Sequence, residues 1–232
     1  MSDDFYKFPS TPHLTVLGNA VVRGDKVVSR SECEEFLKHE LIIEEKVDGA
    51  NLGISFDTLG NIRCQNRGEY LYRPYAGQWR TLSEWLEPRI DMLFDTITDR
   101  YILFGEWCYA QHSVSYDQLP DWLLGFDIYD KKKAKFVSYP KRKALCQKLR
   151  LSEVPFLQQG YFSLEALTDM ISDSSLGETR AEGIYIRFDQ CDWLGKRAKI
   201  VYPEFIQSIE EHWSRSKIKA NKLKLRTTGA CP

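Results

Sequence analysis

Residues 41–57, LIIEEKVDGANLGISFD, restrict the fold more than any other stretch of the chain. Leu41, Ile42 and Ile43 form an apolar run that reads as a buried strand. Asp48-Gly49 is a turn signal, and Leu52, Ile54 and Phe56 then alternate along a second strand. Lys46 stands between the two. A lysine at a strand end, beside two glutamates and a tight turn, is either a solvated hairpin residue or a placed nucleophile. The stretch by itself leaves both readings open.

The rest of the chain continues the pattern. Ser31-x-x-Glu34 is a capping box that predicts a short helix to about His39. Strands are expected over 41–47, 50–57 and 60–65, with LGN at 59–61 as a turn. Trp79, Leu82, Leu86, Ile90, Leu93 and Ile97 recur at helical spacing, and Pro88 divides that stretch into two helices. YILFGEW (101–107) and WLLGFDIYD (122–130) read as buried strands; helices follow near 139–150 and 163–171. EGIYIRFD (182–189) and KRAKIVYP (196–203) are two more strands, and a terminal helix begins near Glu204. Strands outnumber the helices that could connect them in parallel. That implies antiparallel sheets flanked by helices, an α+β domain.

Composition narrows the class. A chain of 232 residues with 43% hydrophobic content supports one large domain with a real core. The N-terminus has no basic start followed by an apolar stretch, and no apolar run approaches the ~18 residues of a membrane span. The six cysteines, Cys33, Cys64, Cys108, Cys146, Cys191 and Cys231, form no C-x-x-C pair, so reduced thiols and a cytoplasmic protein are expected. Net charge is −1, yet residues 131–150 carry nine basic and no acidic residues, and residues 214–226 carry six and none. Such runs are either solvated helix faces or a surface that tracks a nucleic-acid backbone.

Polar residues stand in series at the ends of these strands: Lys46, Asp48 and Asn51; Arg67 in QNRGEYL; Glu106 in FGEW; Phe126-Asp127; Glu182-Gly183; Arg197 and Lys199. In this series the chain resembles the covalent nucleotidyltransferases, the polynucleotide ligases and mRNA capping enzymes, and most closely the RNA ligases. The resemblance runs from FPSTPHL through EEKVDGANLGISFD, QNRGEYL, FGEWCYAQHSVSYDQLPDWLLGFDIYD and EGIYIR to RAKIVYPEFIQSIEEHW. K-x-D-G alone is a weak motif, and the further elements in order carry the likeness.

The resemblance implies a fold in which the nucleotide lies in a groove between antiparallel sheets. It implies attack by the Lys46 amine on the α-phosphorus of ATP, giving lysyl-AMP, then AMP transfer to a 5′-phosphate and joining to a 3′-hydroxyl. A free lysine is almost wholly protonated at neutral pH; strand-end burial, Lys199, Arg197 and a divalent metal would favour the neutral amine. Glu45 is implied at the adenine edge, Asn51 at a ribose hydroxyl or phosphate, and Arg67 at a phosphate. Asp48 and Gly49 complete the nucleotide-binding motif. Glu106 would accept from ribose hydroxyls, and Phe126 would stack on the purine, although core packing also explains a Phe in an apolar strand. Glu182 is the metal-ligand candidate, for Mg²⁺ or Mn²⁺, while Lys199 and Arg197 would neutralise charge on the α-phosphoryl group.

Lys141, Arg142 and Lys143 are candidate nucleic-acid contacts. His112 is read either as a satisfied loop histidine or as a contact to the 5′-phosphate end. The chain is read as one adenylyltransferase domain over 1–232, with 203–232 a short, helical, basic extension. After Lys199 only 33 residues remain. The extra C-terminal domain of many ligases and of typical capping enzymes is therefore expected to be missing, with the basic segments partly replacing it. Tyr202 stands where the resemblance implies another basic residue. RNA is the expected partner, with a separate end-healing enzyme left open. DNA or mixed RNA/DNA strands also stay open, because residues that read a 2′-hydroxyl are not identifiable from sequence. Asn51 disfavours a guanylyltransferase, and the retention of Lys46, Glu182 and Lys199 disfavours a catalytically silent binding module.

Overall fold

The computed structural model of the chain describes residues 5–18, 27–208 and 218–225. Helix α1 (Arg30–Phe36) has its capping box two residues earlier than predicted. Ser29 is the N-cap: its Oγ accepts from Glu32 N, and Glu32 Oε2 accepts from Ser29 N at 2.7 Å. This phase puts Cys33 and Phe36 on the buried face and frees Glu34 to pair with Arg30 one turn back.

Strands β1 (Leu41–Lys46), β2 (Ala50–Phe56), β3 (Ile62–Gln65) and β4 (Tyr70–Leu71) precede two helices, α2 (Leu82–Leu86) and α3 (Ile90–Ile97). The 3₁₀ turn Glu87–Arg89 separates those helices at Pro88, where the backbone donor is missing. Next come β5 (Tyr101–Trp107), β6 (Leu123–Asp130) and β7 (Lys135–Phe136), then α4 (Tyr139–Lys148), β8 (Phe156–Gly160) and α5 (Leu164–Asp169). Strands β9 (Gly183–Gln190) and β10 (Trp193–Val201) and helix α6 (Pro203–Ser208) complete the ordered elements. The short strands β4, β7 and β8 were not expected from the sequence; β8, FLQQG, is exposed at a sheet edge and shows no alternation.

The lysine segment does not form a hairpin. β1 and β2 belong to different antiparallel sheets, ordered β10-β9-β1-β8 and β4-β3-β2-β5-β6-β7. The link Val47–Gly49 crosses from one sheet to the other. On its outer face the first sheet packs Ile43, Ile184, Ile186 and Ile200 against α1 and α5. The second packs Leu52, Ile54 and Leu103 against Leu82, Leu86, Leu93 and Ile97.

Between the sheets lies a buried ionic layer. Arg187 of β9 donates to Asp127 of β6 at 3.0 Å, and Arg197 of β10 donates to the other oxygen of Asp127 at 2.7 Å. Arg142 of α4 pairs with Glu44 of β1 and with Glu153, and also donates to the Phe126 carbonyl of β6. Arg142, Arg187, Asp127 and Glu44 are fully buried, and each is paired, as burial of charge requires.

The C-terminal region departs from the helical expectation. Residues 203–208 are helical, but 218–225 run extended beside the loop 108–119, with bridges Ala110–Ala220 and Leu119–Leu223. Of the basic run 214–226, Arg215, Lys217 and Arg226 lie outside the described residues. Among the described residues no helix is long and apolar enough to cross a membrane.

Candidate active site

Because β1 and β2 diverge at Lys46, a cleft of about 290 Å³ opens between the sheets. Glu45, Lys46, Gly49, Asn51, Arg67, Glu106, Phe126 and Lys199 all line it. Gly49 is required by close approach: a Cβ there would lie 2.8 Å from the Trp107 carbonyl and 3.0 Å from Glu106 Cγ. The glycine amide instead donates to Glu106 Oε1 at 3.2 Å.

Lys46 Nζ is ion-paired with Glu182, which precedes β9, the strand beside β1. Burial disfavours the ammonium, but Glu182, Glu106 and Asp48 together outweigh it and hold the pKa above the usual lysine value. Three carboxylates around one lysine leave surplus negative charge. Glu106 is accordingly pushed to about 8, first by burial and further by Glu182 and Asp48, with Lys46 opposing. Burial and Asp48 also push Glu182 up, against Lys46 and Lys199. Burial, expected to favour the neutral amine together with Lys199, Arg197 and a divalent metal, is not sufficient by itself, because the carboxylates nearest to Lys46 favour its charged form.

The wall opposite Lys46 is aromatic. Phe126 packs edge-on against Phe8, with ring centroids 5.3 Å apart at 84°. Asn51 Oδ1 is a buried acceptor without a hydrogen-bond partner among the described residues, and Asn51 lines the cleft. Arg67 stands exposed at the rim.

The family model described as RNA ligase matches residues 39–201, which contain Lys46, Glu106, Phe126, Glu182 and Lys199. The chain belongs to the RNA ligase family. Its fold is that of the covalent nucleotidyltransferase superfamily. A mutant Naegleria gruberi RNA ligase with ATP and Mn superposes with a TM-score of 0.60 at 17% identity, covering 86% of this chain and 63% of that one. A second mutant with ATP and Mn gives 0.64 at 18%, covering 88% and 57%. The same ligase with PPi gives 0.61 at 16%, covering 87% and 63%. The chain thus spans about three fifths of the length of those ligase structures. No curated protein sequence matches it.

Within this RNA ligase-family cleft several expected residues take other parts. The Glu45 carboxylate is buried and accepts from Ser174 Oγ and from both the amide and hydroxyl of Ser175. It anchors the 174–176 loop and at the same time lines the cleft. Asp48 stays near enough to Lys46, Glu106 and Glu182 to act on their charges, while one of its oxygens accepts from the Ser113 and Val114 amides at 2.7 and 2.9 Å. Arg197 is bound to Asp127 and lies over the rings of Phe8 and Phe136, so it does not reach the cleft beside Lys199.

Arg142 is corrected outright as a nucleic-acid contact, since it is fully buried in the ionic layer. Lys141 and Lys143 remain on the surface of α4, Lys141 paired with Asp192 at 2.7 Å. His112 is mostly buried, with Nε2 2.9 Å from Gln78 Oε1 and Nδ1 3.9 Å from Asp48 Oδ1. Burial first, and then Lys46, lower its pKa against Asp48. Its bonds fit the satisfied loop histidine. At Tyr202, where another basic residue was expected, the Arg180 guanidinium lies 3.9 Å from the ring centroid.

Phe8, Thr11, Val154 and Tyr185 also line the cleft and were not singled out from sequence. Tyr185 carried a usable signal, because its neighbours in GIYIRF alternate and it shares the inner face with Arg187. Phe8 and Thr11 carried only their place in FPSTPHL, where the resemblance begins, since they are far in sequence from every strand they meet.

Proposed function

We propose that the chain is an ATP-dependent RNA ligase that joins a 5′-phosphate to a 3′-hydroxyl through lysyl-AMP. The observation that carries this reading is Lys46 ion-paired to Glu182 in a cleft that also holds Lys199, Asn51 and Phe126. In the first step Nζ of Lys46, after losing a proton, bonds to the α-phosphorus while the bond to the pyrophosphate oxygen breaks. AMP then passes to the RNA 5′-phosphate and frees Lys46. The 3′-hydroxyl next attacks that phosphate, losing its proton as AMP departs.

The residues present fit ATP and a divalent ion. Phe126 offers an aromatic face for the purine, the unpartnered Asn51 oxygen a hydroxyl acceptor, and Lys199 and Arg67 cations for phosphate. Among the described residues no three His, Cys, Asp or Glu side chains form a metal cage. An ion held by Glu182 would complete its shell with phosphate oxygens and water, which is the Mg²⁺ or Mn²⁺ habit. Glu182 would hold such an ion, which would supply positive charge beside the phosphates, and the carboxylate would then be shared between the ion and the Lys46 amine. Lys141 and Lys143 would meet the RNA backbone.

The test is incubation with ATP labelled at the α-phosphate and Mg²⁺ or Mn²⁺, for wild type and Lys46→Ala. Label should survive denaturation on wild type alone. No label on wild-type protein freed of bound AMP would overturn the reading.

A further inference from the structure

The segment 218–225 returns to the loop that follows β5 and bonds to it on both limbs. On one limb, the Gln111 amide donates to Lys219 O at 2.8 Å, and Asn221 N donates to Tyr109 O at 3.0 Å. On the other, Lys222 N donates to Tyr116 O at 2.9 Å, Leu119 N to Lys222 O at 3.2 Å, and Lys224 N to Leu119 O at 2.8 Å. Asn221 joins the limbs. Its side chain is buried; Nδ2 donates to Cys108 O at 2.8 Å and Ala110 O at 3.3 Å, while Oδ1 accepts from Tyr116 N at 2.9 Å. A buried amide using donors and acceptor together fixes geometry more than bulk, because losing it strands several backbone groups at once.

What the loop holds in turn is the motif around Lys46. The Tyr116 hydroxyl accepts from the Asp48 amide at 2.8 Å. Ser113 and Val114 amides bind the Asp48 carboxylate. Asp117 N and Gln118 N donate to Leu176 O at 3.2 and 3.0 Å, and the adjoining Ser174 and Ser175 hold Glu45. So the residue before Lys46 and the turn after it are both gripped by elements that the strap closes.

We propose that residues 218–225 are a positioning strap for the reactive lysine, with Asn221 as its key positioning residue. The inference rests on the lysyl-AMP reading. The strap touches no nucleotide-lining residue of β1 or β2; it acts by fixing where Asp48 and Gly49 stand, and hence the direction of Lys46. Nucleophilic attack depends steeply on such placement, with ångström errors costing about a hundredfold. Loosening the strap therefore slows the covalent step while leaving the aromatic wall for the purine intact.

The test uses the full chain with Asn221→Ala, Tyr116→Phe and the double substitution. Single-turnover lysyl-AMP formation at saturating ATP should fall about tenfold or more in Asn221→Ala, with the half-saturating ATP concentration changed by less than about threefold. Because both act on one linkage, the double variant should be little slower than the slower single one. Hydrogen exchange gives a reading independent of chemistry: amides 47–49 and 113–114 should exchange faster in Asn221→Ala while β9 and β10 stay protected. Unchanged exchange at 47–49, a rise spread over the whole chain, or a rate loss entirely in ATP affinity would overturn the strap. Unlabelled wild type would instead sink the ligase reading, and the exchange result would still decide the coupling.

Discussion

Lys46 and Glu182 are ion-paired across the junction of β1 and β9, at the mouth of a cleft that also contains Glu106. Glu182 lies 136 positions away in the chain and is brought there by the antiparallel register that sets Lys46 against Gly183. One carboxylate thereby has two prospective partners, an ammonium before the nucleotide arrives and a divalent ion afterwards.

The first prediction concerns the amine. With its pKa raised, Lys46 in metal-free protein is almost all ammonium at neutral pH. Its reaction with an amine-directed acylating reagent should increase roughly tenfold per pH unit between about 7 and 9. Glu182→Gln removes a raising charge, so Lys46 should react at lower pH. Peptide mapping of the acylated lysine checks this, and equal reactivity in both proteins would contradict it.

Glu106 makes a prediction about stability. Its folded pKa of about 8 is above the unfolded value of ~4.3, so between these the folded chain binds more protons than the unfolded one. Stability should fall as pH rises through that window and level off above it. Glu106→Gln keeps an acceptor for the Gly49 amide and removes the titration. At pH ~8 the variant should be more stable by on the order of 1–2 kcal/mol, with a flatter profile from about pH 5 to 8. Urea unfolding at several pH values gives the answer; parallel profiles would refute the assignment.

Arg142 and Lys143 should separate cleanly. Arg142→Ala leaves Glu44 buried without its partner and should cost about 3–5 kcal/mol, measured by denaturation. Lys143→Glu, on the exposed side of α4, should leave stability within about 0.5 kcal/mol. It should weaken RNA binding and lower the salt slope by about one ion. An Arg142→Ala protein of normal stability would remove the ionic layer from the account of the fold.

Phe126 supplies the last prediction. Its ring faces the cleft on one side and Phe8 on the other. Phe126→Ala should weaken ATP binding by about 1–2 kcal/mol, while Phe126→Tyr should retain most of it, as calorimetry can measure. Equal binding by Phe126→Ala would return the residue to plain core packing.

The long apolar strands were legible because their period and turn chemistry are local, and the helices at Tyr139–Lys148 and Leu164–Asp169 fall where helices were expected. The order Lys46, Glu106, Phe126, Glu182, Lys199 was legible too, since each stands in or beside a strand that its own neighbours define. Local pattern could not tell the two phases of the capping box apart, because Ser29-Arg30-Ser31-Glu32-Cys33-Glu34 satisfies both. Burial of Cys33 and Phe36 chose the first.

The sequence by itself determined the long strands, the antiparallel α+β class and the chain order of the groups that line the cleft. Tertiary structure alone decided what each charge does. Arg142, in the middle of a basic run, is turned inward by α4 onto Glu44, while Lys141 and Lys143 stay outside. Arg197 and Lys199 share one strand face, yet Asp127 from the opposite sheet captures the first, and only the second lines the cleft. Asp48 and Glu45 flank the lysine in sequence and are claimed by loops more than 60 positions away. The reason is electrostatic: a charge is assigned by the partner that meets it after desolvation, and contacts between distant segments supply that partner.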